Sequence, residues 1–241
     1  MIGMVRRHRL WSVAVLVVLT LLIVESVGLV QLHSNVGRYR DYWGAPRGDP
    51  GGLLYVALGD STAQGIGASR PDRGYVGLVA ERLRRSTGRP VTVVNLSRSG
   101  ARIADLLSDQ LPRLRELHPD LVTVAIGGND VRAYDRQRFA AQVDELTAAL
   151  PAGSVLADVP YFMHGHWERD ARQAADTVSL SATKHGLPIV ALHAALVRQG
   201  AVAMLTQFAP DWFHPNDAGY QVWGNAFWTT IADLPVSRTA P

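Results

Sequence analysis

The chain contains no cysteine among its 241 residues. This absence excludes disulfide bonds, metal sites built on thiolates and a cysteine nucleophile. Any nucleophilic chemistry must therefore rest on another side chain. The absence does not identify the cell compartment.

The part of the chain expected to fold also lacks an excess of positive charge. The whole sequence carries a net charge of +3 and a pI near 9.5. Residues 1–51 hold six arginines against Glu25, Asp41 and Asp49, which leaves 18 basic and 18 acidic residues for 52–241. A neutral domain has no electrostatic footprint for a phosphate backbone, so nucleic acid is not an expected partner.

One long hydrophobic run is present, Leu10–Val30, and it follows Arg6, Arg7 and Arg9. As a helix its 21 residues would be about 31 Å long, close to the hydrocarbon thickness of a bilayer. The run predicts a transmembrane anchor over residues 10–30, with residues 1–9 as a basic cytoplasmic tail.

A cleaved signal peptide is the alternative interpretation of the same run. Glu25 ends its most apolar part, and Ser26-Val27-Gly28 has the small-x-small pattern of a cleavage site. The protein is expected to be a single-pass membrane protein in the first case and secreted in the second. Both interpretations place the main domain outside the cytoplasm.

Residues 31–51 are rich in glycine and proline and are predicted to be a linker. From residue 52 to about 235, short apolar runs alternate strictly with amphipathic segments. This alternation predicts an α/β domain, a three-layer α/β/α sandwich around a five-stranded parallel sheet. The predicted strands are Leu53–Leu58, Val91–Leu96, Leu121–Ile126, Ser154–Val159 and Pro188–Leu192; the clearest predicted helices are Tyr75–Ser86, 167–185 and Asp217–Ile231, with a helical stretch broken at Pro112.

Ser61 follows the first predicted strand, on the edge of a parallel sheet where ligands usually bind. A serine hydroxyl is a weak nucleophile and needs a base within hydrogen-bond reach. His214 is the only histidine preceded at three residues by a carboxylate, Asp211, which can fold back over one turn to hold the imidazole. These three residues are the candidate catalytic group.

Acyl transfer also needs hydrogen-bond donors where the carbonyl oxygen becomes negative. The backbone N–H groups of Ser61 and Gly100 and the side-chain amide of Asn129 are candidates, since each follows a predicted strand. Each residue has a plainer explanation as well. Ser61 and Asn129 can be helix caps, and Gly100 can be a turn residue.

Four sequence blocks resemble those of the SGNH, or GDSL-type, hydrolases, over about residues 53–232. The resemblance implies a flavodoxin-like sandwich and cleavage of carboxylic esters. It also implies Ser61 as nucleophile, His214 with Asp211 completing a triad, and Ser61, Gly100 and Asn129 as oxyanion donors. No cofactor is predicted. The blocks are Gly59-Asp60-Ser61 with Ala63 and Gly65, Gly100, Gly127-Gly128-Asn129-Asp130, and Asp211-Trp212-Phe213-His214-Pro215.

Two hypotheses without catalysis remain beside the esterase. The first is a module that binds a nucleotide or phosphate through Gly59–Gly67, although neither fingerprint is complete and the only lysine is Lys184. The second is a degenerate relative that acts as an envelope scaffold. The sequence does not choose among small-molecule, lipid and glycan acyl esters as the substrate of an esterase.

His164, His166 and Trp212 are candidate substrate contacts. The two histidines follow the fourth predicted strand, and Trp212 precedes the candidate base. Two histidines without a third ligand make a weak metal site, so no metal is predicted.

Overall fold

The computed structural model describes residues 35–163 and 165–238, apart from the side chain of Met204. The predicted basic tail, the hydrophobic segment 10–30 and His164 lie outside these residues. Within them, no helix has the length and hydrophobicity needed to cross a bilayer.

The domain is an α/β fold around a six-stranded sheet with the order β1-β3-β2-β4-β5-β6. Strands β2 to β6 are parallel, and counted from β2 their order is 2-1-3-4-5, the doubly wound order whose ligands bind beyond the carboxyl ends of the strands. The strands are β1 (Arg47–Gly48), β2 (Leu53–Gly59), β3 (Val91–Asn95), β4 (Leu121–Ala125), β5 (Val155–Ala157) and β6 (Ile189–Val190).

The prediction of five parallel strands was correct for β2 to β6, and it missed the sixth strand. β1 pairs antiparallel with β3, matching Arg47 with Val93 and Gly48 with Thr92. Its two residues, an arginine and a glycine, belong to no apolar run that would predict a strand.

Helices cover both faces of the sheet. The helical segments are α1 (described over residues 35–43), α2 (Ser61–Gln64), α3 (Tyr75–Thr87), α4 (Ile103–Asp105), a π-helical turn (Leu106–Gln110), α5 (Leu111–Arg115), α6 (Gly128–Val131), α7 (Arg136–Ala149), α8 (Gly165–Lys184), α9 (Leu192–Val197), α10 (Ala203–Thr206) and α11 (Asp217–Ile231). Two short 3₁₀ turns lie at Pro71–Arg73 and Pro235–Ser237.

The central strand β2 contributes side chains to two hydrophobic cores, one on each face of the sheet. Successive side chains of a strand point to opposite faces. Val56 and Leu58 belong to the core formed with α7 and α8, whereas Tyr55 and Ala57 belong to the core formed with α3 and α11. Because β2 is buried on both faces, it appears in the sequence as a continuous apolar run.

The helical stretch predicted to break at Pro112 continues through it. A π-helical turn, Leu106–Gln110, precedes the proline, and α5 begins at Leu111 with the proline in its first turn. Proline is tolerated there because a first-turn N–H has no partner within the helix. The wide turn also carries Gln110, a buried residue of the site described below.

The predicted linker over 31–51 was wrong for its described part. Residues 35–43 form α1, whose Tyr39 and Trp43 are buried against the domain. The Tyr39 hydroxyl donates to the Ala68 carbonyl at 2.6 Å, and Trp43 Nε1 donates to the Gln64 carbonyl at 3.0 Å. The glycines and prolines around this short helix concealed two aromatic anchors.

We expect Trp43→Ala to lower the free energy of unfolding by about 3 kcal/mol, because it removes a large buried side chain and leaves a cavity. Arg40→Ala, on the exposed side of the same helix, should change it by less than about 0.5 kcal/mol. Urea denaturation of both variants measures the difference. Equal midpoints would show that α1 is not part of the folded unit.

Candidate active site

The nucleophile candidate lies at the turn from β2 into α2. Asp60 is the N-cap of α2, and its carboxylate accepts hydrogen bonds from the Thr62 N–H at 2.9 Å and the Thr62 hydroxyl at 2.8 Å. The capping role is therefore taken by Asp60 rather than by Ser61 or Thr62. The Ser61 hydroxyl remains available for another contact.

That contact is His214, which comes 153 positions later in the chain. His214 Nε2 lies 2.8 Å from Ser61 Oγ, and its Nδ1 lies 2.5 Å from Asp211 Oδ2. All three side chains are largely buried. The spacing of hydroxyl, imidazole and carboxylate is that of a nucleophile, its base and the group that orients the base.

The turn that carries the base is held by its own hydrogen bonds. Asp211 Oδ1 accepts from the backbone N–H groups of Phe213 and His214 at 3.1 and 3.0 Å. Trp212, between Asp211 and Phe213, adopts a φ of +53°, which is unfavourable for a bulky residue. Its N–H donates to the Ala209 carbonyl at 3.0 Å, so the strained conformation is fixed on both sides.

The two carboxylates nearest Ser61 and His214, Asp211 and Asp60, differ in their electrostatics. Burial disfavours charge on Asp211, but the hydrogen bond and charge of His214 and the two backbone N–H groups outweigh it and hold the pKa of Asp211 below its ordinary value. Burial dominates at Asp60 and raises its pKa despite the Thr62 hydrogen bonds. Asp211 is therefore the carboxylate suited to stabilise a protonated imidazole.

The other two predicted site residues, Gly100 and Asn129, line one cavity together with Ser61. Gly100 follows β3 with a φ of +79°, and Asn129 lies in α6. Gly127 is the N-cap of that helix, so Asn129 does not cap it. Instead, Asn129 Nδ2 donates to the Ala101 carbonyl at 3.0 Å and lies 3.4 Å from Asp60 Oδ2. Both residues line the cavity with Ser61.

This cavity has a volume of about 810 Å³, within the range of small-molecule sites. Its walls are mostly apolar, and its charged or titratable lining groups are few. The apolar lining includes Ile66, Ile126, Phe162, Met163, Trp167, Leu192, Leu196, Phe208, Phe213 and Trp223. The polar lining includes Asp60, Asp158, Arg132, Asp211 and His214.

Of the candidate substrate contacts, Trp212 lines the cavity and is 49% exposed. His166 is exposed and does not line the cavity. Its ring lies 5.3 Å from the ring of Trp167, which does line the cavity. Within 35–163 and 165–238, no three histidine or acidic side chains converge as a metal site.

Gln110 is a residue of the site that the sequence analysis missed. Its side-chain Oε1 accepts from the Gly59 N–H at 2.9 Å, and its Nε2 donates to the Gly59 carbonyl at 2.8 Å. One buried amide thus satisfies both backbone groups of the residue two before Ser61. The sequence does contain one indication of this role. Gln110 shares a helical face with the apolar residues Ile103, Leu106 and Leu114, which predicts that its side chain is buried.

Two further buried amides, also missed, connect α2 to the loop that carries Gly100. Gln64 Nε2 donates to the Ser97 carbonyl at 3.0 Å, and Gln64 Oε1 accepts from the Ser99 hydroxyl at 2.6 Å. Asn95 Nδ2 donates to the Ala63 carbonyl at 2.7 Å. These contacts fix Ser61 and Gly100 relative to each other.

Asp158 is a second buried acid in the cavity wall, outside the triad. Its Oδ1 accepts from the His193 N–H at 2.7 Å. Burial raises the pKa of Asp158 to about 7, against the opposing effect of the backbone hydrogen bonds. His193 in turn places its Nε2 3.1 Å from Glu168 Oε1.

Comparison with known proteins agrees with this geometry. A model of the GDSL-like lipase/acylhydrolase family matches residues 57–222, more than half of the chain and every residue of the Ser61–His214–Asp211 group. The chain belongs to this family. It is accordingly a carboxylic ester hydrolase.

Solved structures similar to this GDSL-like hydrolase include LAE5, described as an alpha/beta hydrolase enzyme from the metagenome of Lake Arreo, Spain. It is 28% identical with a TM-score of 0.63, over 74% of this chain and 94% of the other. A variant of Axe2, an acetyl xylan esterase from Geobacillus stearothermophilus, is 26% identical with a TM-score of 0.61, over 74% and 94%. Comparison with curated protein sequences finds no match.

In the GDSL-like hydrolase, Gln110→Leu should leave the Gly59 N–H unpaired in the core and leave the Gly59 carbonyl with only the Arg98 N–H, at 3.2 Å, as its donor. We expect a loss of about 2–4 kcal/mol in the free energy of unfolding and a kcat at least about tenfold lower, because the turn that holds Ser61 is no longer fixed. Gln173→Leu, on the exposed side of α8, is the matched control. A variant with normal stability and kcat would contradict this role.

Asp158→Asn should change how stability depends on pH. The folded-state pKa of Asp158, about 7, lies above the ordinary value of 3.8, so its contribution to stability is complete below about pH 4 and is lost as pH rises towards 7. The variant should therefore gain stability relative to the wild type between pH 4 and 7. Chemical denaturation at several pH values measures this gain, with exposed Asp233→Asn as control. If the free energy of unfolding of Asp158→Asn and of the wild type changed with pH in the same way, the raised pKa of Asp158 would be refuted.

Proposed function

We propose that the protein hydrolyses carboxylic esters through an acyl-enzyme on Ser61. The observation that carries the proposal is the 2.8 Å contact between Ser61 Oγ and His214 Nε2 at an apolar cavity. A hydroxyl placed against a base that is itself oriented by a carboxylate is a nucleophile ready to be deprotonated.

In the acylation step, Ser61 Oγ attacks the ester carbonyl carbon while its proton passes to His214 Nε2. Asp211 keeps the Nδ1 proton of the imidazole in place and stabilises the imidazolium that forms. When the tetrahedral intermediate collapses, the bond to the alcohol oxygen breaks and His214 gives its proton to that oxygen. The products of this half are the free alcohol and an ester on Ser61.

In the deacylation step, a water molecule attacks the acyl carbonyl and gives a proton to His214. Collapse of the second tetrahedral intermediate returns that proton to Ser61 Oγ and releases the carboxylic acid. No cofactor takes part in either half of the proposed reaction.

The negative oxygen of both intermediates is stabilised by the N–H groups of Ser61 and Gly100 and by the amide of Asn129. The Ala101 carbonyl supports this arrangement, since it accepts from Asn129 Nδ2 at 3.0 Å and orients the amide. The second N–H of that amide has only a long contact of 3.4 Å to Asp60 Oδ2, which it gives up to reach the negative oxygen. The positive φ of Gly100 supports it as well, because only glycine adopts that conformation without strain.

The substrate is an acyl ester of a small molecule, a lipid or a glycan. The acetylxylan esterases among the structural neighbours support an acylated glycan, whereas the apolar walls of the cavity support a longer acyl chain. The hydrophobic run 10–30 supports a location outside the cytoplasm, on the membrane or secreted. A non-catalytic or nucleotide-binding role is disfavoured, because it leaves the contact between Ser61 and His214 without a purpose.

Ser61→Ala tests the mechanism. The variant should stay folded and lose at least about 10⁴-fold in kcat on a short-chain nitrophenyl ester, and a fluorophosphonate probe should no longer label the protein. A panel of esters graded by acyl length defines the substrate range of the wild type. Ser179→Ala, on α8 outside the cavity lining, is the control. Unchanged turnover by Ser61→Ala would reject the mechanism.

A further inference from the structure

Four large hydrophobic side chains cluster in sequence near the cavity and are exposed to solvent. Val197 is 46%, Val202 70%, Leu205 78% and Trp212 49% exposed, and we call these four residues the apolar rim. Among the residues that the structure describes, the only other large hydrophobic side chain exposed to this degree is Leu180. Scattered exposed hydrophobics are normal, but a concentration at one site indicates an interaction surface.

Val197, Val202 and Leu205 of the apolar rim lie outside the lining of the active-site cavity, whereas Trp212 is part of that lining. Leu196 of α9, and Gly200 and Ala203 after that helix, line the cavity. Val202 and Leu205 are not among the lining residues and face solvent. The wall therefore presents apolar groups to the substrate on one side and apolar groups to the surroundings on the other.

The carboxylate next to the apolar rim in the chain, Asp211, is paired with His214, and arginines lie nearby. Residues 192–210 contain no aspartate or glutamate. Arg198 follows Val197, and Arg132 lines the cavity with its guanidinium 6.0 Å from the ring centre of Phe213, the residue after Trp212; both arginines are exposed. An apolar surface bordered by arginines is complementary to a lipid bilayer with anionic headgroups.

The chain itself limits how far this surface can lie from a bilayer. Val36 of α1 lines the same cavity. The hydrophobic run that begins at Leu10 ends at Val30, and six residues of extended chain reach at most about 20 Å. If that run is embedded in a membrane, the cavity opens within about 20 Å of the place where the chain leaves it.

We propose that the apolar rim docks on a lipid bilayer and that the substrate is an acyl ester residing in that bilayer. The acyl part passes from the lipid into the cavity without crossing water, and the ester then reaches Ser61. This inference rests on the ester hydrolysis proposed above and adds the source of the ester. Its rivals are two other coverings of the apolar rim, the run 10–30 of the same chain and a second copy of the protein.

The kinetic test uses the full chain reconstituted into vesicles of phosphatidylcholine and phosphatidylglycerol. Two substrates are compared, a short-chain nitrophenyl ester in solution and a long-chain fluorogenic ester within the bilayer. We expect the double variant Val202→Ser, Leu205→Ser to lose at least about tenfold in rate on the bilayer ester, because two apolar side chains no longer enter the lipid. Its kcat on the soluble ester should stay within about twofold.

Leu180→Ser is the matched control, since Leu180 is 73% exposed and lies on α8 outside the cavity lining. It should behave as the wild type on both substrates. A double variant that retains full rate on the bilayer ester overturns the proposal, as does equal loss on both substrates. Failure of ester hydrolysis is a separate result, seen as no turnover of the soluble ester by the wild type.

The absence of cysteine allows a direct test of contact with lipid. Leu205→Cys and Leu180→Cys each give a single site for an environment-sensitive fluorophore. We expect the label at position 205 to brighten when vesicles are present and to be quenched by spin-labelled lipid, while the label at 180 does not change. Bright emission before lipid is added would indicate the run 10–30 as the cover and overturn the proposal. Emission that rises with protein concentration alone would indicate a second copy and overturn it equally.

Discussion

The candidate site depends on the hydrogen bonds around the turn from β2 into α2, because they hold Ser61 in position. This turn is buried at the edge of the sheet, where an unpaired backbone group costs about 1–3 kcal/mol. Gln110 satisfies Gly59, and Asp60 satisfies Thr62. These partners hold the backbone on both sides of Ser61. The Ser61 hydroxyl therefore stays oriented towards His214 Nε2.

Burial works against the charge of two carboxyl groups in the cavity wall, Asp60 and Asp158. It raises the pKa of Asp158 to about 7, and it raises the pKa of Asp60 as well. Asp211 is the exception because His214 compensates for its burial. Local stability is thus lower around the cavity than an apolar lining would give, a common condition where a protein does chemistry.

The sequence predicted the parallel strands and the pairing of Asp211 with His214 because both follow from local rules. Apolar runs and helical spacing located β2 to β6, and Asp211 lies one turn from His214, so their pairing is a local event. Gln110 was not found, because its contact with Gly59 spans 51 positions and depends on a π-helical turn without a sequence signature. The docking of α1 through Trp43 was missed for the same reason, since its partner at Gln64 is distant.

Helix α1 connects the beginning of the described chain to the edge of the sheet that carries Ser61. Tyr39 and Trp43 donate to carbonyls at Ala68 and Gln64, in the segment that directly follows Ser61. Detachment of α1 would therefore remove two hydrogen bonds from the backbone that follows Ser61, while the hydrogen bonds of Gln110 and Asp60 around the preceding turn would remain.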